Sequence, residues 1–167
     1  MRTLKKINQG WLGSIKLALG GLVLLGTSAP VGAQSVRVTG VSNVSFGTVA
    51  NLQADISQSQ SLCAYSSTAS YSVRASGSGA AGAFTLSAGS RTLAYEVQWN
   101  SLSGQQTGTS LVSGVTSRGF ISTAVHQQCN SGPRTTASLI VALRAASLSS
   151  ATAGSYSGTL TILLAPE

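Results

Sequence analysis

The sequence predicts an all-β protein built as a sandwich of two sheets, and three observations carry the prediction. Apolar side chains recur at every second position in short runs, as in Leu93, Tyr95, Val97 and Trp99, which is the period of a strand with one buried face. Clusters of Gly, Ser, Asn and Pro break these runs at spacings of roughly ten residues, the rhythm of hairpin-connected strands. No segment beyond the N-terminal leader joins helical periodicity to capping residues. With only 8% charged residues and 19 glycines among 167 residues, the composition suits sheets made from small and β-branched side chains.

The chain opens with Arg2, Lys5, Lys6 and Lys16 before an apolar run, Leu17 to Leu25, and then reaches small residues at Val31-Gly32-Ala33. Basic, apolar and small segments in that order make a cleavable secretory signal, so residues 1–33 are expected to be removed and residues 34–167 to form the mature domain. The apolar run is about half the length that a bilayer-spanning helix needs, and no other stretch approaches it. An exported, soluble protein without a transmembrane segment is expected. No cysteine follows the signal to carry a lipid.

Removing the leader changes the charge. The formal +7 falls to +3, because Arg37, Arg74, Arg91, Arg118, Arg134 and Arg144 remain against Asp55, Glu96 and Glu167. These arginines are scattered singly, with no basic run and no interleaved aromatics, so nucleic acid is not an expected partner. Cys63 and Cys129 are the two cysteines of an exported chain, which predicts a disulfide between them. Closing a loop of about 65 residues would stabilise the fold by about 4 kcal/mol in the chain-entropy picture.

From Gln34 onward, Val36, Val38, Val44 and Phe46 share a parity, predicting one long strand or two short ones, with Gly40 and Gly47 as places to bulge. Asn51 to Ser61 reads as a polar loop and Leu62-Cys63-Ala64-Tyr65 as a short strand. Tyr71 to Ala75 alternates again. Ser76 to Gly82 reads as a flexible connection too poor in side chains to pack, leading to a returning strand at Phe84-Thr85-Leu86 and a turn at Ala88-Gly89-Ser90. Leu93 to Trp99 is expected as one strand. Leu111 to Val115 is a short apolar patch read as a candidate strand, Arg118 to His126 leads to Cys129 in a segment also read as strand, and Asn130-Ser131-Gly132-Pro133 turns the chain. Leu139, Val141 and Leu143 face inward on the next strand, and Ala145 to Ala153 reads as loop. Seven or so strands so placed make an immunoglobulin-like sandwich the expected architecture.

The last segment differs from the others. Tyr156, Leu160, Ile162 and Leu164 fall on one face, while Ser155, Ser157, Thr159 and Thr161 fall on the other. A strand this apolar normally has a neighbour on each side, and no later segment turns back to supply one. The expectation is an incomplete sandwich whose final edge is covered by an earlier segment or by another chain.

With the strands placed, the order of landmarks resembles the spore coat protein U domain, found in pilins of the archaic chaperone-usher pathway. The landmarks are Phe46-Gly47-Thr48, Cys63, Tyr71-Ser72-Val73, Gly82 to Leu86, Leu93-Ala94-Tyr95-Glu96-Val97 and the ending Ala153-Gly154-Ser155-Tyr156-Ser157-Gly158-Thr159-Leu160-Thr161. The likeness covers the mature chain, and that ending is its most specific part. It implies a pilin-type sandwich lacking its last strand, held by a periplasmic chaperone, passed to an outer-membrane usher and completed by a donor strand from a neighbouring pilin subunit. The implied role is a non-catalytic structural subunit of a fimbria or pilus, serving adhesion or biofilm formation. The implied route runs through the periplasm to the cell surface of a Gram-negative bacterium. On this resemblance Tyr156, Leu160, Ile162 and Leu164 line the groove for the donor, while Val36, Val38, Val44 and Phe46 are either a donor strand or this domain's own first strand. Family pilins usually carry a donor extension ahead of the first strand, often with a further cysteine. Here only about ten residues separate Gln34 from Phe46, and none is a cysteine.

No catalytic, cofactor or metal site is expected. His126 stands alone and no Cys-x-x-Cys accompanies it, so a zinc site lacks ligands. A Ser/His/Asp arrangement drawn from His126 and Asp55 lacks the Gly-x-Ser-x-Gly elbow, and a carboxylate pair would have to come from Asp55, Glu96 and Glu167 alone. Tyr95 and Trp99 share a strand with Leu93 and Val97, which makes them core rather than a sugar-stacking platform. The alternative to a fibre subunit is a self-contained secreted or periplasmic sandwich that binds a carbohydrate or other ligand through its loops.

Overall fold

Ten β-strands, one short α-helix and one 3-10 turn (Ala80–Gly82) make up the regular structure of residues 32–167, the part of the chain that the computed structural model describes. The leader expected over residues 1–33 lies almost wholly outside the described residues. One sheet runs in the order β1 (Val36–Thr39), β2 (Ile56–Ser66), β9 (Ala137–Leu143), β6 (Glu96–Asn100) and β7 (Thr109–Ser110). The second runs β10 (Leu160–Pro166), β3 (Ser70–Gly77) and β8 (Thr116–Ile121), while β4 (Thr85–Ala88) and β5 (Arg91–Ala94) form a separate hairpin. Helix α1 (Ala145–Ser149) follows β9. Every ladder is antiparallel, and the whole is an all-β sandwich.

The core lies between the two sheets because each presents its apolar parity inward. Tyr71, Val73 and Phe120 from the second sheet meet Val97, Trp99 and Val141 from the first. Trp99 sits edge-on to Tyr71, with ring centroids 6.3 Å apart and planes at 82°, and its indole N–H donates to the Tyr71 hydroxyl oxygen at 3.0 Å. Two large side chains thereby bury their polar ends as a satisfied pair. Burial pushes the Tyr71 and Tyr95 phenols above their ordinary pKa. Leu93, Tyr95, Val97, Trp99, Leu139, Val141 and Leu143 are all 7% exposed or less, as the alternation predicted.

Several elements differ from the sequence expectation, each for a local reason. The run Leu93 to Trp99 is two strands, because its partner changes at Tyr95: the Tyr95 N–H still donates to the Phe84 carbonyl at 2.9 Å, in line with the β4 pairing, and from Glu96 on the partner is β9. β5 on one side of that break pairs with β4, and β6 on the other pairs with β9. The polar stretch before Leu62 is strand rather than loop: β2 begins at Ile56, and Ser57, Gln58, Ser59, Gln60 and Ser61 are held in register against β9. Leu111 to Val115 is no strand, since only Leu111 is buried and Val112 and Val115 project into solvent.

The glycine-rich connection after β3 packs tightly. A side chain at Gly77 would collide with the Ala83 carbonyl oxygen, and the Ser113 hydroxyl donates to the Gly82 carbonyl. Backbone thus meets backbone where the sequence suggested slack. The segment expected as loop from Ala145 opens with α1, whose Leu148 is buried.

Candidate functional site

β10 is an edge strand. It pairs with β3 from Leu160↔Gly77 to Pro166↔Tyr71, and among the described residues no strand pairs with its other edge. Leu160, Ile162 and Leu164 face the core yet stay half-buried, whereas Thr161, Leu163 and Ala165 point outward and are exposed. The end of the strand is fastened. The Glu167 N–H donates to the Ser70 carbonyl at 3.1 Å, and its carboxylate accepts from the Gly119 N–H at 2.9 Å and pairs with Arg118 at 3.1 Å. Tyr156 precedes the strand instead of belonging to it. Its neighbour Ser157 exchanges backbone hydrogen bonds with Ser87 at 2.8 and 3.0 Å, its hydroxyl donates to the Thr152 carbonyl, and its ring packs half-buried against the core.

β1 forms the facing border. Val36↔Ser66 and Thr39↔Cys63 fix its register on β2 of the same chain, and Val36 and Val38 are half-buried against the core. In this structure Val36 to Thr39 is therefore the domain's own first strand. Val44 and Phe46 follow in irregular backbone and pack on the same core. Gly40 and Gly47 take the left-handed backbone, with φ of 79° and 62°, and the second of these breaks the alternation so that Val49 turns inward.

The two borders run antiparallel. The Ser67 N–H donates to the Ser35 carbonyl and the Glu167 N–H to the Ser70 carbonyl, so the start of β1 and the end of β10 meet at the same link between β2 and β3. β1 and β10 approach each other there without pairing. Half-buried apolar side chains of both strands lie beside these two edges, which no strand pairs among the described residues. A strand edge of this kind can take an extended segment that adds main-chain hydrogen bonds and apolar side chains.

Val49 and Ile56 line a neighbouring cleft of about 350 Å³ with Phe46, although the sequence reading did not single them out. The positive-φ glycine between Phe46 and Val49 was the available signal.

Cys63 and Cys129 are bonded, with Cα atoms 6.0 Å apart. Cys129 is not on a strand as expected: it sits in a loop with φ of 48°, where its N–H donates to the His126 carbonyl at 3.0 Å. The bridge therefore ties a loop to the outer face of β2 rather than strand to strand.

Three charged residues form a network that the sequence did not reveal. Arg144 lies between Asp55 and Glu96, at 2.7 and 2.5 Å. The Ala145 N–H also donates to Asp55 at 2.8 Å. That backbone donor first, and the Arg144 guanidinium second, hold the Asp55 carboxyl below the usual carboxylate range; the two carboxylates likewise raise Arg144. Asp55 and Glu96 are thus brought together, but around an arginine that occupies them both. Among the described residues no group of His, Cys, Asp and Glu has the arrangement of a metal site, and no helix is long and apolar enough to cross a membrane.

The sheets define an antiparallel all-β sandwich in which, among the described residues, β1 and β10 border the same side and no strand pairs with their outer edges. No protein-family model matches the chain, and no curated protein does. Among solved structures it is similar to the chaperone–tip adhesion subunit pre-assembly complex from archaic chaperone-usher Csu pili of Acinetobacter baumannii, at 18% identity and a TM-score of 0.40. The match covers 79% of this chain and 39% of that one, so this chain spans about two fifths of the length it is compared with.

Proposed function

We propose that this protein is a non-catalytic structural subunit of a chaperone-usher surface fibre, completed by a strand from a neighbouring pilin subunit. One observation carries the proposal: β10 presents Leu160, Ile162 and Leu164 inward yet half-buried, with no strand along its outer edge among the described residues. An edge of this kind is unfavourable twice over, through apolar surface left in water and through unpaired backbone groups that template association. The resemblance of the closing Ala153-to-Thr161 stretch to spore coat protein U domains supports a strand as the missing piece. A periplasmic chaperone would shield the edge first, an outer-membrane usher would exchange it, and a pilin donor would fill it at the cell surface after the leader is removed. The pairing of β1 with its own β2 favours the reading of Val36 and Val38 as first strand over the reading as donor.

The test is to express the mature chain alone, with a candidate periplasmic chaperone, and with an alternating apolar donor segment fused through a flexible linker. Yield and thermal unfolding should rise in the second and third forms, because main-chain bonds and buried side chains are added together. Equal solubility and equal stability in all three forms would overturn the fibre-subunit reading. A self-contained ligand-binding sandwich would then be the better account.

A further inference from the structure

A second surface lies on the outer face of the first sheet, away from the core. Leu62 and Ala64 point inward from β2, so Cys63 and Tyr65 point outward, and Tyr65 meets the loop that Cys129 anchors. Tyr65, Val125, His126, Gln127, Gln128 and Asn130 line an open cleft of about 440 Å³ there, which is a small-ligand size.

Its lining has a definite chemistry. Three carboxamides and an imidazole offer both donors and acceptors. Tyr65 adds a half-buried aromatic ring, and Val125 an apolar rim that is 61% exposed. No carboxylate, lysine or arginine lines the cleft, which disfavours phosphate, carboxylate and metal ligands. Planar amides matched to vicinal hydroxyls, beside a ring face matched to C–H groups, suit a sugar.

The loop is also held in advance of binding. The Ser122 hydroxyl donates to the Ala64 carbonyl at 2.6 Å, and Thr136 both donates to that carbonyl and accepts from the Ala64 N–H at 3.0 Å. The disulfide fixes the middle of the loop to the residue next door. A ligand arriving there has little loop ordering left to impose.

We propose that Tyr65 and the disulfide-pinned loop 125–130 form a saccharide-binding site, with Tyr65 stacking on the sugar ring and Gln127, Gln128 and Asn130 bonding its hydroxyls. This goes beyond the fibre role and does not depend on it. Arg37, the register partner of Tyr65 on β1, lies on the same face and would add a contact for an acidic sugar.

The full exported chain, purified with its disulfide intact in lone and donor-fused forms, is probed on an array of neutral and acidic glycans, and retained glycans are titrated by calorimetry. Both forms should retain the same glycans. Tyr65→Ala should weaken binding roughly tenfold, Tyr65→Phe should largely preserve it, and Gln127→Ala with Gln128→Ala should weaken it comparably, all without a shift in melting temperature. Preference for acidic glycans that Arg37→Ala abolishes would extend the site to Arg37, and indifference to Arg37→Ala would confine it to the cleft. If wild type retains no glycan that Tyr65→Ala releases, the proposal is wrong, whatever the donor strand does to stability.

Discussion

β9 and β10 are strands of equal length and similar apolar content, and they are buried very differently. All seven residues of β9 are buried, including the outward-facing Ser138 and Ile140. In β10 every inward residue is only half-buried and every outward one is exposed. The difference lies in the neighbours. β9 has β2 along one edge and β6 along the other, and Ser138 is bonded to Leu102 and Gln105 of the loop that folds over its outer face. β10 has β3 on one edge and nothing on the other among the described residues. The same alternation therefore gives a finished core in one half of the sandwich and an unfinished one in the other.

Substitutions should read out that contrast. The largest effect is expected at the sealed half. Trp99→Ala removes the ring packed on Tyr71 and the hydrogen bond to the Tyr71 hydroxyl, so urea unfolding should lose about 3 to 5 kcal/mol. Next comes the bridge: Cys63→Ser should cost about 2 to 5 kcal/mol and lower the yield of exported protein, as measured by unfolding and non-reducing gels. In the open half, Ile162→Ala should cost only about 1 kcal/mol in the lone chain, where the side chain keeps part of its contact with water. With a donor strand bound, the same change should cost about 2 to 5 kcal/mol. An equal cost in both forms would mean that Ile162 is already as well packed as Trp99.

Two smaller effects sharpen the comparison further. Asp55 titrates below its unfolded value, so its contribution is complete above the ordinary carboxylate range and fades as pH falls through that range to the folded value. Asp55→Asn should therefore lower the melting temperature slightly at neutral pH, and the gap from wild type should close on acidification. Leu163→Ser should change stability by less than about 0.5 kcal/mol, because Leu163 is 58% exposed on the outer face of β10.

The parts of this architecture that alternation controls were legible in the sequence. Leu93, Tyr95, Val97 and Trp99 all turn inward, even though the strand breaks at Tyr95, since side-chain parity survives a change of partner from β4 to β9. What could not be read depends on partners distant in sequence. Ser57 to Ser61 looks like loop because its polarity hides a ladder supplied by β9. Ser138 and Ile140 look outward-facing until residues 101–108 cover them, and Asp55 looks isolated until Arg144 arrives 89 residues later. At the open side, the inward set Leu160, Ile162 and Leu164 was visible, but the half-burial of Val49 follows from irregular backbone that has no period to detect, and that of Ile56 from a strand that continues in polar residues, Ser57 to Ser61.

Hydrogen exchange along β10 tests the unfinished edge most directly. In an antiparallel pair only alternate residues exchange backbone hydrogen bonds with the partner, so about half of the β10 amides can bond to β3 and the rest point to the free edge. In the lone chain those edge amides should exchange quickly while β9 is protected throughout. A saturating alternating apolar donor peptide should slow the β10 edge amides strongly and leave β9 almost unchanged. Edge amides that are already slow in the lone chain, or that no such peptide protects, would contradict the account.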